Sequence, residues 1–170
     1  KELITYAAKI GMWTICTNII GFPYETREAI EDTVRYAKSC GVDFSTFYLL
    51  CPDITSDVYS YFRKENLLNF DSLFDSEQLD EEAYEKMEKT LSEEGVDTLF
   101  FTANQLKKIQ IQAYRRFIIH RGFSFLFTLR LVYKIHNIED LRCVLRFMLT
   151  GFRIFLNSFL KTNTHALLYD

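Results

Sequence analysis

Residues 12–26, MWTICTNIIGFPYET, constrain the fold of this chain more than any other stretch. The stretch begins as an apolar run rich in strand-forming residues, and it stops at Gly21, Phe22 and Pro23. Thr26 then precedes a helical pattern of apolar residues. A strand that ends in a tight turn and leads into a helix is the unit from which α/β proteins build ligand-facing strand ends.

A second strand is predicted after one helix. Residues 26–40 place Ile30, Val34 and Ala37 on one helical face, at spacings of four and three. Residues 43–50 form another apolar, strand-like run. Strand, helix and strand in this order predict a βαβ crossover, in which the two strands are parallel and the connection is right-handed.

The first strand is expected at residues 12–20, where apolar residues run almost without interruption. Such a run is typical of a strand that is covered on both faces. Ahead of it, residues 2–10 read as the last turns of a helix, and Gly11 is the expected residue just past its end.

Composition and cysteine usage set the class of protein. A hydrophobic content of 48% over 170 residues excludes a disordered chain and is enough for one core. No secretory signal pattern opens the chain, so we expect a cytoplasmic, reducing location. Because the chain opens at Lys1 within a helical pattern, we expect it to be a piece of a longer protein. Four cysteines lack paired spacing, and three of them fall inside apolar segments, so buried free thiols are expected rather than disulfides: Cys16, Cys40, Cys51 and Cys143.

Charge divides the chain into two parts. Residues 1–104 carry 9 Lys and Arg against 20 Asp and Glu, whereas residues 105–170 carry 11 against 3. The first part is therefore acidic by 11 charges and the second basic by 8. Such a split indicates two units that attract each other, or a basic end with its own anionic partner.

The basic part allows two interpretations. Residues 123–135 and 141–160 are apolar and aromatic, and the longer run carries Arg142, Arg146 and Arg153 at spacings of four and seven. This pattern is typical of an interfacial amphipathic helix, so residues 122–160 could form a peripheral membrane or protein-interaction module. The runs are too short and too often interrupted to span a bilayer. The other interpretation, favoured by the charge asymmetry, packs these helices internally with the arginines facing the acidic part.

Four short pieces of the sequence resemble one enzyme family. Residues 18–26, NIIGFPYET, with AIEDT at 29–33, resemble the fifth strand and helix of the radical S-adenosylmethionine (SAM) barrel. The likeness is greatest to the cobalamin-binding subfamily, whose turn has the form G-[FL]-P-G-E-T; here Tyr24 stands at the second glycine.

The other three pieces follow in the family's order. Residues 50–52, LCP, end the second strand where the subfamily runs into T-P-x-P-G-T, although residues 54–56 are ITS. Residues 106–117 are similar to its helix L-x-x-x-Q-x-x-A-Y-x-x-F, and residues 138–141, IEDL, to the start of a later helix. The resemblance extends, with gaps, over residues 2–150.

The resemblance implies an α/β fold: the last strand–helix units of a partial (βα)6 TIM-type barrel, followed by a helical C-terminal extension. Residues 1–101 would be barrel with an acidic helical insertion, and residues 102–170 the basic helical region. It also implies an enzyme that cleaves SAM with a [4Fe–4S] cluster to generate a 5′-deoxyadenosyl radical, in its cobalamin-dependent form. The substrate would be a small molecule such as a lipid or tetrapyrrole, and no nucleic acid is expected as a partner.

The cofactor ligands of that family are missing from this sequence. Neither C-x-x-x-C-x-x-C for the cluster nor D-x-H-x-x-G for cobalamin occurs, so both would lie upstream and this chain alone would be inactive. The spacing of His120, His136 and His165 predicts no metal site, and the acidic residues of 80–94 are typical of a solvated helix face.

The candidate site lies at the two strand ends, where the resemblance places SAM. Ile19 and Gly21 would offer its adenine an apolar wall and open backbone groups. The alternatives are an ordinary βα turn, a packed thiol at Cys51 rather than a nucleophile, and a helix-dipole role for Glu25 rather than a substrate contact. No catalytic residue is assigned. The candidate cofactor-binding residues are Asn18, Ile19, Gly21, Phe22, Pro23, Glu25, Leu50 and Cys51.

Overall fold

The computed structural model describes residues 2–53, 55–68, 82, 85, 89–92, 95–122 and 124–160, without the side chains of 125–128, 154, 155 and 157–160. Most of the acidic segment at 80–94 lies outside these ranges. The helices and strands with assigned bounds are α1 (Glu2–Lys9), β1 (Ile15–Ile20), α2 (Arg27–Ser39), β2 (Phe44–Leu49), α3 (Asp57–Lys64), α4 (Ala103–Gly122), α5 (Phe125–Lys134) and α6 (Ile138–Leu160).

The two described strands pair directly with each other. At their start, the carbonyl oxygen of Thr14 accepts the N–H of Phe44 at 3.1 Å, and at their end the carbonyl of Ile20 accepts the N–H of Leu50 at 2.8 Å. Between these two bonds the residue numbers of both strands increase in the same direction, so the pair is parallel. The predicted α/β unit with a helical crossover is confirmed, and both strands are shorter than predicted.

Helix α1 ends as its sequence predicts. Gly11 has a φ of +81°, in the left-handed region that glycine enters without strain. The N–H of Met12 donates to Ala7 at 3.0 Å, and the N–H of Gly11 donates to Ala8 at 3.3 Å. This pair of bonds is the Schellman motif, so the assignment of Gly11 as the residue past the helix end is confirmed.

The prediction that β1 is covered on both faces is wrong for this structure. Asn18 and Ile20 are buried, whereas Ile15 and Ile19 are 52% and 46% exposed. Side chains alternate between the faces of a strand, so one face of β1 is packed and the other is bare.

The chain divides into two compact units, each with its own core. The first comprises Lys1–Asn18, Glu31–Phe47 and Ile109–Asp170, and the second Ile19–Ile30 and Tyr48–Lys108. A boundary at residues 101 and 102 stays a prediction. The core of the first unit joins α2, β2 and α4 through Val34, Ala37, Cys40, Val42, Phe47, Ala113, Tyr114 and Phe117. The core of the second unit contains Phe62, Leu68, Leu91 and Val96.

A buried charge cluster ties α5 to the strands within the first unit. The carboxylate of Asp43 lies 2.7 Å from Nζ of Lys134 and 3.1 Å from Nε of Arg130. It also accepts the backbone N–H of Thr14 at 2.8 Å and its hydroxyl at 2.7 Å. Lys134, itself fully buried, donates in addition to the carbonyl of Met12 at 2.5 Å. Opposite charges at these distances offset the cost of burying them.

Among the described residues, the arginines of α6 do not have the acidic partners that internal packing predicts. Arg142 pairs at 2.7 Å with Glu139, three residues earlier in the same helix, and Arg146 and Arg153 are exposed. On α4, Arg116 pairs with the acidic part of the chain, with its guanidinium 2.5 Å from the carboxylate of Glu31. In the part of the chain that the structure describes, no helix has both the length and the apolar character needed to cross a membrane.

Candidate functional site

Thr26 starts helix α2, as the sequence predicts. Its hydroxyl accepts the N–H of Ala29 at 3.3 Å, and its carbonyl accepts the N–H of Ile30 at 3.1 Å. A threonine that satisfies the first N–H groups of a helix fixes where the helix begins. The turn between β1 and α2 is therefore bounded on both sides by defined structure.

Gly21 is required in this turn for two physical reasons. Its φ of +97° belongs to the region that L side chains rarely adopt. A Cβ atom on this residue would lie 3.3 Å from Cδ1 of Leu106 and 3.7 Å from the backbone nitrogen of Leu50. The side chain of Leu106, which belongs to the same unit, thus fills the space beside Gly21.

The carboxylate of Glu25 closes the turn. It accepts the N–H of Gly21 at 2.6 Å and that of Phe22 at 3.3 Å, while the N–H of Glu25 donates to the carbonyl of Phe22 at 3.0 Å. Burial raises the pKa of the Glu25 carboxyl above its usual value, and the two N–H bonds oppose that rise. The N–H of Gly21 is therefore not one of the open backbone groups predicted at this strand end, because Glu25 accepts it.

Tyr24 fits at the position where the resembling family has a glycine. Among the described non-glycine residues, Asn66 alone has a positive φ, so Tyr24 avoids the left-handed region. Its ring lies 6.3 Å from that of Phe22 and meets Tyr61 edge-on at 5.9 Å. The turn needs a left-handed residue at Gly21 and tolerates a bulky side chain three positions later.

The two strand ends meet, as the parallel crossover predicts. The hydrogen bond from Leu50 to Ile20 places the residues that follow each strand at one edge. Pro52 is buried, whereas Cys51 is exposed, so the expectation of a packed thiol at Cys51 is wrong. Cys143 is exposed as well, so a buried thiol is wrong there too. All four cysteines lie among the described residues, and none forms a disulfide.

Asn18 has a role inside the sheet. Its amide nitrogen donates to the hydroxyl of Ser45 at 2.8 Å and to the carbonyl of Thr46 at 2.9 Å. Both bonds join β1 to β2, and the side chain is buried. A buried amide with satisfied donors stabilises strand pairing, and these donors are not turned toward solvent.

The structure adds residues that sequence reasoning missed. The N–H of Leu99 donates to the carbonyl of Pro23 at 3.0 Å, which places the turn around Leu99 beside the end of β1. Leu99 and Phe100 are exposed there, as are Ile19 and Tyr24. The signal in the sequence was a run of three apolar residues between two threonines, Thr98 and Thr102. The side chains of these threonines organise a turn and a helix cap.

Four exposed apolar residues lie on the segments that meet at this edge, and we call them the apolar rim: Ile19, Tyr24, Leu99 and Phe100. An apolar rim can bind a flat, weakly polar ring by excluding water. A groove of about 320 Å³ lies on α1, lined by Glu2, Thr5, Tyr6 and Lys9, and contains none of the rim residues. Among the described residues, no three potential metal ligands lie close enough to hold an ion.

Comparison with known proteins gives one partial relative. The chain is 34% identical over 67 residues to a protein of Pyrococcus horikoshii that is described as an uncharacterized methyltransferase. The match covers 39% of this chain and only 15% of that protein. No family model matches the chain, and no solved structure does. Part of the chain is therefore similar to part of a methyltransferase.

Proposed function

We propose that this chain is part of a SAM-dependent enzyme of the radical SAM class, in its cobalamin-binding form. The chain would contribute the last two strands of the barrel and a helical C-terminal region, with the division near residues 101 and 102. Its substrate would be a small molecule of the lipid or tetrapyrrole kind. The relative described as a methyltransferase supports SAM-related chemistry, because methyl transfer needs a methyl donor.

The observation that carries the proposal is the meeting of two parallel strand ends beside an exposed apolar rim. Ligands of open and barrel-shaped parallel sheets bind at the carboxyl ends of the strands. Here Gly21 and Leu50 lie at that edge, and Ile19 is uncovered next to it. Four sequence pieces in the family's order support the same assignment.

The bare face of β1 supports a barrel. In a closed parallel barrel, helices cover the outer face of each strand, while the inner face meets side chains of other strands. Ile15 and Ile19 lie on the uncovered face, and β1 has β2 on one side and no described strand on the other. Further strands from the complete protein would pair with this edge and cover the apolar face.

The residues of the site fit SAM better than they fit the other two cofactors. Ile19 and the backbone after it offer an apolar wall for an adenine ring, although the N–H of Gly21 is taken by Glu25. A [4Fe–4S] cluster needs thiolates at close spacing, and the four cysteines do not supply them. We therefore propose that the cluster and cobalamin bind to other parts of the complete protein.

Within this proposal each residue has a defined role. Ile19 packs on the adenine, and Tyr24 with Phe100 excludes water from its edge. Glu25 holds the turn, so that the backbone at Gly21 keeps its conformation when ligand binds. The cofactors, when bound, would supply reductive cleavage of SAM; no residue of this chain is assigned to a chemical step.

The test uses the complete protein and two alanine variants on one strand. Ile19 and Ile15 lie on the same face of β1 with similar exposure, at its carboxyl end and its start. We expect Ile19→Ala to weaken SAM binding about tenfold, which corresponds to about 1.4 kcal/mol of lost contact. Isothermal titration of the cluster-loaded protein measures the affinity, and Ile15→Ala should leave it unchanged.

Two outcomes contradict the proposal. Equal SAM affinity in the two alanine variants would remove the assignment of the site to the end of β1. A complete protein that lacks C-x-x-x-C-x-x-C upstream would remove the radical SAM class itself. The runner-up, a non-catalytic module that uses its basic helices, would then be the better description.

A further inference from the structure

Helix α6 is fixed to the first unit along one side. Val144 is buried, and the ring of Phe147 stacks on Phe44 with centroids 4.2 Å apart. Gly151 lies on the same side, where a Cβ would contact Ile118 at 3.6 Å. At its first turn, the carboxylate of Asp140 accepts the indole N–H of Trp13 at 3.1 Å. These contacts hold the helix in place along one side, and the remainder of the helix surface lies outside the core.

A second side of α6 is apolar and exposed. Met148, Leu149 and Phe152 are 60%, 62% and 57% exposed, although they are among the most apolar residues of the chain. At about 100° per residue, the exposed apolar positions fall within one arc of about 100°. The members of this apolar arc are Ile138, Leu141, Leu145, Met148, Leu149, Phe152 and Leu156. A continuous apolar patch of this kind marks an interaction surface.

Three arginines border the apolar arc on the side away from the core. On the helical wheel, Arg142, Arg153 and Arg146 follow directly after Leu149, within about 60°. Arg142 pairs with Glu139, but both side chains are exposed, so the pair is weak. Among the described residues, Arg146 and Arg153 form no ion pair, and from residue 141 to 160 the sequence contains no acidic residue. From Arg142 to Arg153, the border thus carries three cations and no acidic residue.

We propose that α6 binds in the plane of an anionic membrane surface. The apolar arc would enter the boundary between headgroups and acyl chains, and the bordering arginines would reach back to lipid phosphates. Charge decides between a membrane and a protein partner, because an apolar stripe with three cations along its outer border matches a layer of anionic headgroups. No described helix can span the bilayer, which leaves the interfacial mode.

The same unit has a second exposed apolar helix surface. On α5, Leu129, Val132 and Tyr133 are exposed, while Lys134 is buried against Asp43. The cations of α5, Arg130 and Lys134, thus pair with the buried carboxylate of Asp43, whereas the arginines of α6 face solvent. The contrast assigns the membrane contact to α6, since an apolar surface without cations at its border would not distinguish anionic from neutral lipids.

The experiment is sedimentation of the full chain with vesicles of equal parts phosphatidylcholine and phosphatidylglycerol, beside vesicles of phosphatidylcholine alone. Changing Arg142, Arg146 and Arg153 together to Gln should lower the partition coefficient for mixed vesicles at least about tenfold, because each surface cation adds attraction. The matched control changes Lys9, Arg35 and Lys108 to Gln. These three exposed cations lie elsewhere, so the control loses the same charge with little effect on binding.

A second pair of variants tests the apolar arc. Leu149→Glu with Phe152→Glu places two charges in the arc and should abolish binding, whereas Leu3→Glu with Ile10→Glu, at exposed positions elsewhere, should not. Circular dichroism and thermal unfolding report whether each variant folds.

Four results would overturn the proposal. They are equal binding to neutral vesicles, an equal loss of binding in the lysine and arginine control, no sedimentation of the unaltered chain, and a larger fall in Tm for the arc variant than for its control. The last result would show that the arc packs against protein.

Discussion

Two carboxylates organise the two units of this chain, and they do so in different ways. Asp43 is fully buried and neutralised by Lys134 and Arg130, which come from a helix far along the chain. Glu25 is half-buried and accepts the N–H groups of Gly21 and Phe22, four and three residues before it. The first carboxylate joins distant segments, whereas the second only shapes its own turn.

The difference teaches what each interaction contributes. A buried ion pair contributes to stability only while both partners are present, since a lone charge without solvent is costly. A half-exposed carboxylate keeps part of its hydration, so removing it changes little more than the geometry of the turn. We therefore expect Asp43 to dominate the stability of the first unit, and Glu25 to adjust the site of the second.

The largest expected effect is that of Lys134→Met, which leaves the Asp43 carboxylate without its closest cation. We expect a loss of about 3–5 kcal/mol in the free energy of unfolding, as for other broken buried pairs. Urea denaturation followed by circular dichroism measures this loss. The matched control is Arg142→Met, whose exposed pair with Glu139 should cost less than about 1 kcal/mol.

A double variant tests the physical reason. Asp43→Asn combined with Lys134→Met removes both charges, and it should recover part of the stability lost in Lys134→Met alone. If the two single substitutions simply add, the pair is not the source of the stability, and the contrast with Glu25 fails.

An intermediate effect is expected for Gly21→Ala in the turn that Glu25 closes. The left-handed φ alone costs about 1–2 kcal/mol for an alanine, and the contact with Leu106 should add to it. Gly41→Ala is the control, because Gly41 has a φ of +88° and a Cβ there would meet no described atom within 4 Å. The difference in Tm between the two variants measures the cost of the contact with Leu106. Adding Leu106→Ala to Gly21→Ala should remove that cost.

The smallest expected effect is a pH dependence at Glu25. The pKa of its carboxyl is raised by burial above the ordinary value of 4.5. In the pH window just above 4.5, the unfolded chain has ionised this group while the folded chain still holds the proton. The free energy of unfolding should therefore fall as pH rises through the window, and level off above the folded pKa.

The matching variant is Glu25→Gln, which cannot ionise and should lack this part of the pH dependence. Urea denaturation at several pH values, with the exposed Glu2→Gln as a control, compares the curves. Parallel curves for the unaltered chain and Glu25→Gln would show that burial at this turn does not perturb the carboxyl.

Local features of the fold could be predicted because their causes lie within a few residues. The Schellman end at Gly11 and the cap at Thr26 each depend on neighbours in sequence. The parallel crossover follows from the periodicity of residues 26–40 between two apolar runs. At the candidate site, the same reasoning located the turn and brought Gly21 and Leu50 to one edge.

The tertiary structure decided what depends on distant segments. Asp43 and Lys134 are 91 residues apart, and nothing near either residue marks them as partners rather than surface charges. Leu99 reaches the candidate site through a bond to Pro23, and Leu106 fills the space beside Gly21. The sequence by itself determined the βαβ unit and its turns, because hydrogen-bonding and φ preferences act locally. Which face of β1 stays bare, and which cations are buried, was decided by packing, because burial depends on segments that meet only in the folded chain.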